Sequence, residues 1–189
     1  MSVAAYELGY LKAGIEILEA YLLSGDLYWT MGASPPAGSP PFRQLTLGGL
    51  LLNDRRLQAR RLTPNQEMER QECAAGLQEI IYHHRVAWER KASREFQSRL
   101  KTWANFLNEY RDDPENHRDR YAYEVERRVM LQLLETHARE VPHAEQDLLG
   151  SLDQVLGAVF LPGAFIWDAE VTGAFDRSSF WYLYGELRK

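Results

Sequence analysis

Glu79 and His83 stand four residues apart in a stretch with helical periodicity, so their side chains share a face and can meet. Carboxylate–histidine pairs on bundle helices build metal sites. The di-iron pattern, however, needs Glu-x-x-His twice and two further glutamates. The one such spacing here, Glu140-Val141-Pro142-His143, contains a proline that breaks the helix needed to aim both ligands. A surface ion pair is the plainer role for Glu79 and His83. The adjacent His83 and His84 point about 100° apart on a helix and cannot both face one metal. His84 falls on an apolar seam, where a core histidine with one satisfied nitrogen is the simplest reading. His137 comes one turn after Leu133 and Leu134, near another inward position. If those two helices run antiparallel, His84 and His137 approach, and Glu79, His84 and His137 become the candidate metal ligands. An acid/base pair is the other chemistry that geometry would allow.

Other reactive groups offer less. Cys73 precedes Ala74-Ala75-Gly76 and has no basic neighbour nearer than Arg70, so nothing in the chain order activates its thiol. No Gly-x-Ser-x-Gly elbow and no phosphate-binding glycine loop is present; Gly48-Gly49 is a bare pair. The acids from Asp112 to Asp119 resemble a calcium loop but lack its turn glycine and closing glutamate. They suit a first helical turn, where acids complement the helix dipole. No catalytic residue is assigned, no cofactor is expected, and the sequence leans away from an enzyme.

Arginine and aromatic residues are the remaining leads. Asp54 to Arg61 holds Arg55, Arg56, Arg60 and Arg61 against one aspartate. A second basic stretch runs from His84 to Arg111, and the block from Asp112 to Glu126 is acidic. Alternating blocks suit helix pairing within or between subunits better than a single nucleic-acid face. Tyr28, Trp29, His84, Trp88, His137 and Trp167 are the candidates for lining a small-molecule pocket near an aromatic end.

These residues need elements to position them, and the helical signals are strong. Thr63-Pro64-Asn65-Gln66 opens a helix as a capping box, and no stop signal follows until Asp112-Asp113-Pro114. Such a helix, about 63–111, would extend about 70 Å if unbroken. Its seam is Leu77, Ile81, His84, Trp88, Ala92, Phe96, Leu100, Trp103, Leu107 and Tyr110, and it blurs near 88–95, so the helix is either continuous or broken there.

A first helix over Val3 to Leu23 carries two apolar stripes and must be covered on two sides. A third starts at Asp113-Pro114, with Val125, Val129, Met130, Leu133 and Leu134 inward. A fourth follows Val141-Pro142, with Leu148, Leu152, Val155 and Val159 inward and Leu149 and Leu156 beside them. Leu45 to Leu52 fits a strand or a short helix equally. Residues 33–41 form a proline-rich loop, the best candidate for a mobile flap.

Residues 27–30 and 165–167 read as short extended aromatic segments. Ala20 to Trp29 aligns without gaps to Ala158 to Trp167, which suggests that Leu27–Trp29 pairs with Phe165–Trp167. The aromatic tail at 165–189 is expected to dock on the core and to end in a short helix around Ser179 to Leu187.

The predicted fold is all-α: a single domain, 1–189, forming a bundle of about four to five helices. A chain of 189 residues with 45% apolar and 26% charged residues fits one globular domain. The formal charge of −5 argues against a general nucleic-acid binder and an anionic membrane surface. One cysteine excludes an internal disulfide and fits a reducing compartment. The start MSVAAYELGYLKAG lacks signal-peptide features, and no apolar run approaches the roughly 20 residues of a bilayer span.

A cytoplasmic location is therefore expected. The reading that asks least is a non-enzymatic bundle acting through protein–protein contact, as a homodimer or with a protein partner. A small-molecule or metal pocket is the alternative. RNA or DNA contact through Arg55, Arg56, Arg60 and Arg61 is a further alternative, disfavoured by the charge pattern.

Overall fold

The computed structural model describes residues 2–188; the two terminal positions of the expected domain and tail lie outside the described residues. The chain is mainly helical, at 67%, with one two-stranded sheet among the described residues, so the expected class holds as mainly α.

Helix α1 (Val3–Glu16) and helix α2 (Leu18–Leu23) follow the first predicted helix, interrupted only at Ile17. Helix α3 (Leu47–Leu57) resolves the ambiguous Leu45 to Leu52 run as helix. Thr46 caps it by accepting the Gly49 N–H at 3.0 Å. The buried Glu95 carboxylate accepts the next two orphan donors, Leu47 N–H at 2.7 Å and Gly48 N–H at 3.0 Å. Periodicity within the segment could not reveal a cap supplied from 47 positions away.

The predicted helix over 63–111 is two helices, α4 (Pro64–His83) and α5 (Arg85–Asp112). The capping box at Thr63 is present, with Thr63 N–H donating to Gln66 Oε1 at 3.0 Å. The break falls at His84 (φ −114°, ψ 28°) and not near 88–95. There the seam changes partner. α4 lies along α1, and α5 passes into the core against α8 (Glu126–Glu135) and α9 (His143–Val159). Trp88, Phe96 and Trp103 on α5 are fully buried, while Tyr82 and Val86 beside the break are exposed.

Between them, helix α6 (Pro114–His117) and helix α7 (Tyr121–Glu124) carry the chain from α5 back to α8. Asp113 caps α6 by accepting the Asn116 N–H at 3.3 Å, a structural use of the supposed calcium-loop acids.

Helix α9 is rotated from its predicted orientation. Leu149, Leu152 and Leu156 are buried, whereas Leu148 and Val155 are more than 40% exposed. Two overlapping stripes compete on this helix, and Arg128 selects one by clasping Asp153 through two 2.7 Å hydrogen bonds.

The tail departs further from expectation. Strand β1 (Phe160–Phe165) pairs antiparallel with β2 (Tyr184–Leu187), in the register Phe160 to Leu187 and Pro162 to Gly185. The helix expected over Ser179 to Leu187 is only a 3-10 turn at Trp181–Leu183 before β2. Gly185 explains why a strand fits: a Cβ there would lie 2.1 Å from the Leu161 carbonyl oxygen. The proposed pairing of Leu27–Trp29 with Phe165–Trp167 is absent. Trp29 bridges Leu45 instead, with N–H to O distances of 3.1 and 2.7 Å.

The tail docks on its own core. Phe175, Phe180, Tyr182, Leu183 and Leu187 are buried, and the Tyr121 hydroxyl donates to the Tyr182 carbonyl at 2.6 Å. Both stripes of α1 are likewise covered within the chain, by α3 on one side and α4 on the other. No helix among the described residues is long and apolar enough to cross a membrane.

Candidate anion-binding cleft

A cleft of about 570 Å³ opens between α1, α3, α5 and the start of α8. That volume lies within the range of about 300–1,000 Å³ typical of small-molecule sites. Tyr6 and Tyr10, one turn apart on α1, form its floor together with Asn53 and Arg56 of α3. Arg99 and Thr102 enter from α5, and Tyr123, Glu126 and Arg127 from the α7–α8 junction.

Pro40, at the end of the proline-rich segment, and Arg43 and Gln44 just after it supply the outer wall. It is strapped to α1. The Tyr6 hydroxyl donates to the Pro41 carbonyl at 3.2 Å, and the Tyr10 hydroxyl to the Gln44 carbonyl at 3.1 Å. Phe42 packs between the same two rings, with centroids at 5.2 and 5.9 Å. It sits over Gly9, where a Cβ would come within 3.3 Å of its ring. The end of the segment expected to be a flap, at Pro40 and Pro41, is thus tied to α1 beside the cleft.

Four guanidinium groups and two carboxylates line this space. Glu7 turns to Arg60, which donates to it through Nε at 2.8 Å and Nη2 at 3.0 Å. Glu126 is shared between Arg43 at 2.7 Å and Arg56 at 2.9 Å. Burial alone would raise the Glu126 carboxyl, but these two arginines hold it below its ordinary value. Behind the wall, Glu95 pairs with Arg99 at 2.6 Å. Glu124 contacts Arg127 and also accepts from Arg120 at 2.7 Å.

Arg127 is nonetheless easier to deprotonate than usual, because it is partly desolvated and has Arg99 and Arg120 for neighbours. Burial, and next the charge of Glu95, raises the Tyr10 phenol. The shifts at Glu126 and Tyr10 move both groups away from neutral pH. This suits binding better than proton transfer.

The residues singled out in the sequence are dispersed. Of the six pocket candidates, Tyr28 lines the cleft. Trp29 packs edge-on against Tyr21, 6.4 Å away. Trp88 and His137 do meet: the indole N–H donates to His137 Nδ1 at 3.3 Å, and burial lowers the His137 pKa. His84 lies elsewhere, 3.6 Å from Glu19. Trp167 sits in the tail, 5.3 Å from Phe175, and donates to the Ala122 carbonyl at 2.8 Å.

Glu79 is exposed on α4, and no group of three or more potential metal ligands comes together among the described residues. Cys73 is buried, and desolvation raises its pKa. Three of the four arginines proposed for nucleic acid have internal partners. Arg55 donates to the Ala174 carbonyl at 2.7 Å and lies over Phe180. Arg56 holds Glu126 and lies over Trp167, and Arg60 holds Glu7, Asp168 and Glu170. Arg61 is exposed, and its backbone N–H donates to Glu170 at 3.0 Å.

No family model, curated protein or solved structure matches this chain. The functional argument therefore rests on geometry. Arg43, Tyr123, Glu126 and Arg127 carry no recognisable motif; the signal in the chain order is the spacing of Tyr123 to Glu126 and Arg127, three and four residues on, which puts them on one helical face.

Proposed function

We propose that this protein binds a small organic anion in the cleft between α1, α3, α5 and α8. The observation that carries this reading is the pair Arg43 and Arg56, which share the single carboxylate of Glu126 in the lining, while Glu7 is turned to Arg60, Glu95 to Arg99 and Glu124 to Arg127. An anion entering there gains charge-assisted hydrogen bonds from guanidinium groups already held in place, with little ordering cost.

Thermal unfolding with a panel of small organic anions and their neutral analogues tests the reading. Anions are expected to raise Tm and neutral analogues to leave it unchanged. The rise should vanish in the Arg43→Gln, Arg127→Gln double variant. A panel with no response would overturn the proposal.

Self-association is a second reading. The two-sided first helix and the aromatic tail do not supply its surface, since both are covered within the chain. What favours it is the exposed apolar pair Leu148 and Val155, two turns apart on one side of α9. Light scattering should then report a dimer that Val155→Glu converts to monomer. A monomer at all concentrations would end this reading.

A further inference from the structure

We propose that the occupant of the cleft is a phosphate monoester carried on a planar heterocycle, of the nucleoside monophosphate class; this rests on the anion-binding role proposed above. Arg43 and Arg56 share one carboxylate in the lining, while Arg99 and Arg127 have Glu95 and Glu124 as partners behind it. A monoester phosphate carries a charge of about −1.5 to −2 at neutral pH and offers three acceptor oxygens, where a carboxylate offers one charge and two oxygens.

The donors suit that shape. Arg43 gives Nη1 and Arg56 gives Nη2 to Glu126, so the other nitrogens of both forks remain for a ligand. The N-terminus of α3, the usual backbone cradle for a phosphate, is filled by the Glu95 carboxylate. The anion must therefore be met by side chains.

The second half of the ligand is read from the rings. Tyr28 is 47% exposed and Tyr123 57% exposed, and both border the cleft. The guanidinium carbons of Arg43 and Arg127 lie 5.7 and 5.8 Å from the Tyr123 centroid. This ring is held by cations yet left open, which makes it a stacking platform for a flat ring next to the phosphate. Gln44 and Asn53 add amide groups to the lining, able to meet the hydrogen-bonding edge of a heterocycle.

Calorimetric titration of the full chain with adenosine 5′-monophosphate, adenosine, inorganic phosphate and phthalate tests this. The monophosphate is expected to bind at least about tenfold more tightly than adenosine, since one lost charge-assisted contact is worth that factor or more. Arg127→Gln should weaken the monophosphate by about tenfold. Tyr123→Leu should weaken it too, but leave inorganic phosphate unchanged. Arg43→Gln, at an exposed position, repeats the charge test should Arg127→Gln disturb the fold. Adenosine binding as tightly as its monophosphate would overturn the phosphate assignment. Phthalate binding more tightly would overturn it and leave the anion site standing. Binding of none of the anions would overturn both proposals together.

Discussion

Arg60 has three carboxylates around one guanidinium, whereas Arg43 and Arg56 share the single carboxylate of Glu126. Arg56 and Arg60 are one helical turn apart in chain order and belong to one basic run. Their roles differ because of what the fold brings to them. Arg60 lies past the end of α3 with its side chain 4% exposed. Glu7 of α1 and the Asp168–Glu170 turn of the tail saturate its donors. It fastens the tail to the first helix. In the cleft the ratio is reversed, with two arginines to one carboxylate and open solvent in front. A buried cation with a full set of acceptors is a structural tie; a cation with unused donors beside a cavity is poised for a ligand.

Removing the tie should give the largest effect. Arg60→Ala leaves the buried Glu7 without a counter-ion, and we expect a loss of about 3–5 kcal/mol in chemical denaturation. Trp103→Ala provides a core benchmark of about the same size, about 3–5 kcal/mol, because this indole is fully buried and stacked on Phe106 at 5.5 Å. A loss below about 1 kcal/mol for Arg60→Ala would place it with the cleft arginines instead.

Acid should act on the same tie. Arg60 is the main cause that holds Asp168 below its ordinary value; for Glu170 it is the Arg61 N–H and then Arg60. The unfolded chain therefore binds more protons than the folded chain as pH falls below about 4. The stability these groups contribute is complete at neutral pH and is lost as pH drops through their lowered folded values. Asp168→Asn should flatten this acid limb in denaturation midpoints followed from about pH 6 to about pH 3. An unchanged limb would separate Asp168 from the tie.

The smallest effect on stability belongs to the cleft. The Arg43 side chain is 65% exposed. Arg43→Gln should shift unfolding by less than about 0.5 kcal/mol, yet reduce the Tm rise produced by anions. A large destabilisation would make Arg43 a structural residue and erase the contrast with Arg60.

The helical class, the capping box at Thr63 and most of the α5 seam were legible in the sequence, because caps and 3–4 spacing are local properties. The same local logic missed the break at His84, the rotation of α9 and the strand at Tyr184–Leu187. Each of those depends on a partner far along the chain. α4 and α5 diverge because one follows α1 and the other α8; α9 turns to meet Arg128; β2 exists because β1 lies beside it.

Charge shows the same division more sharply. Composition and spacing determined that the chain is arginine-rich and helical, and that its metal-ligating and nucleophilic residues form no recognised motif. Only the tertiary structure decided which arginines are saturated and which face a cavity. A guanidinium is defined functionally by the acceptors around it, and here those acceptors come from positions as far apart as Glu7 and Glu170.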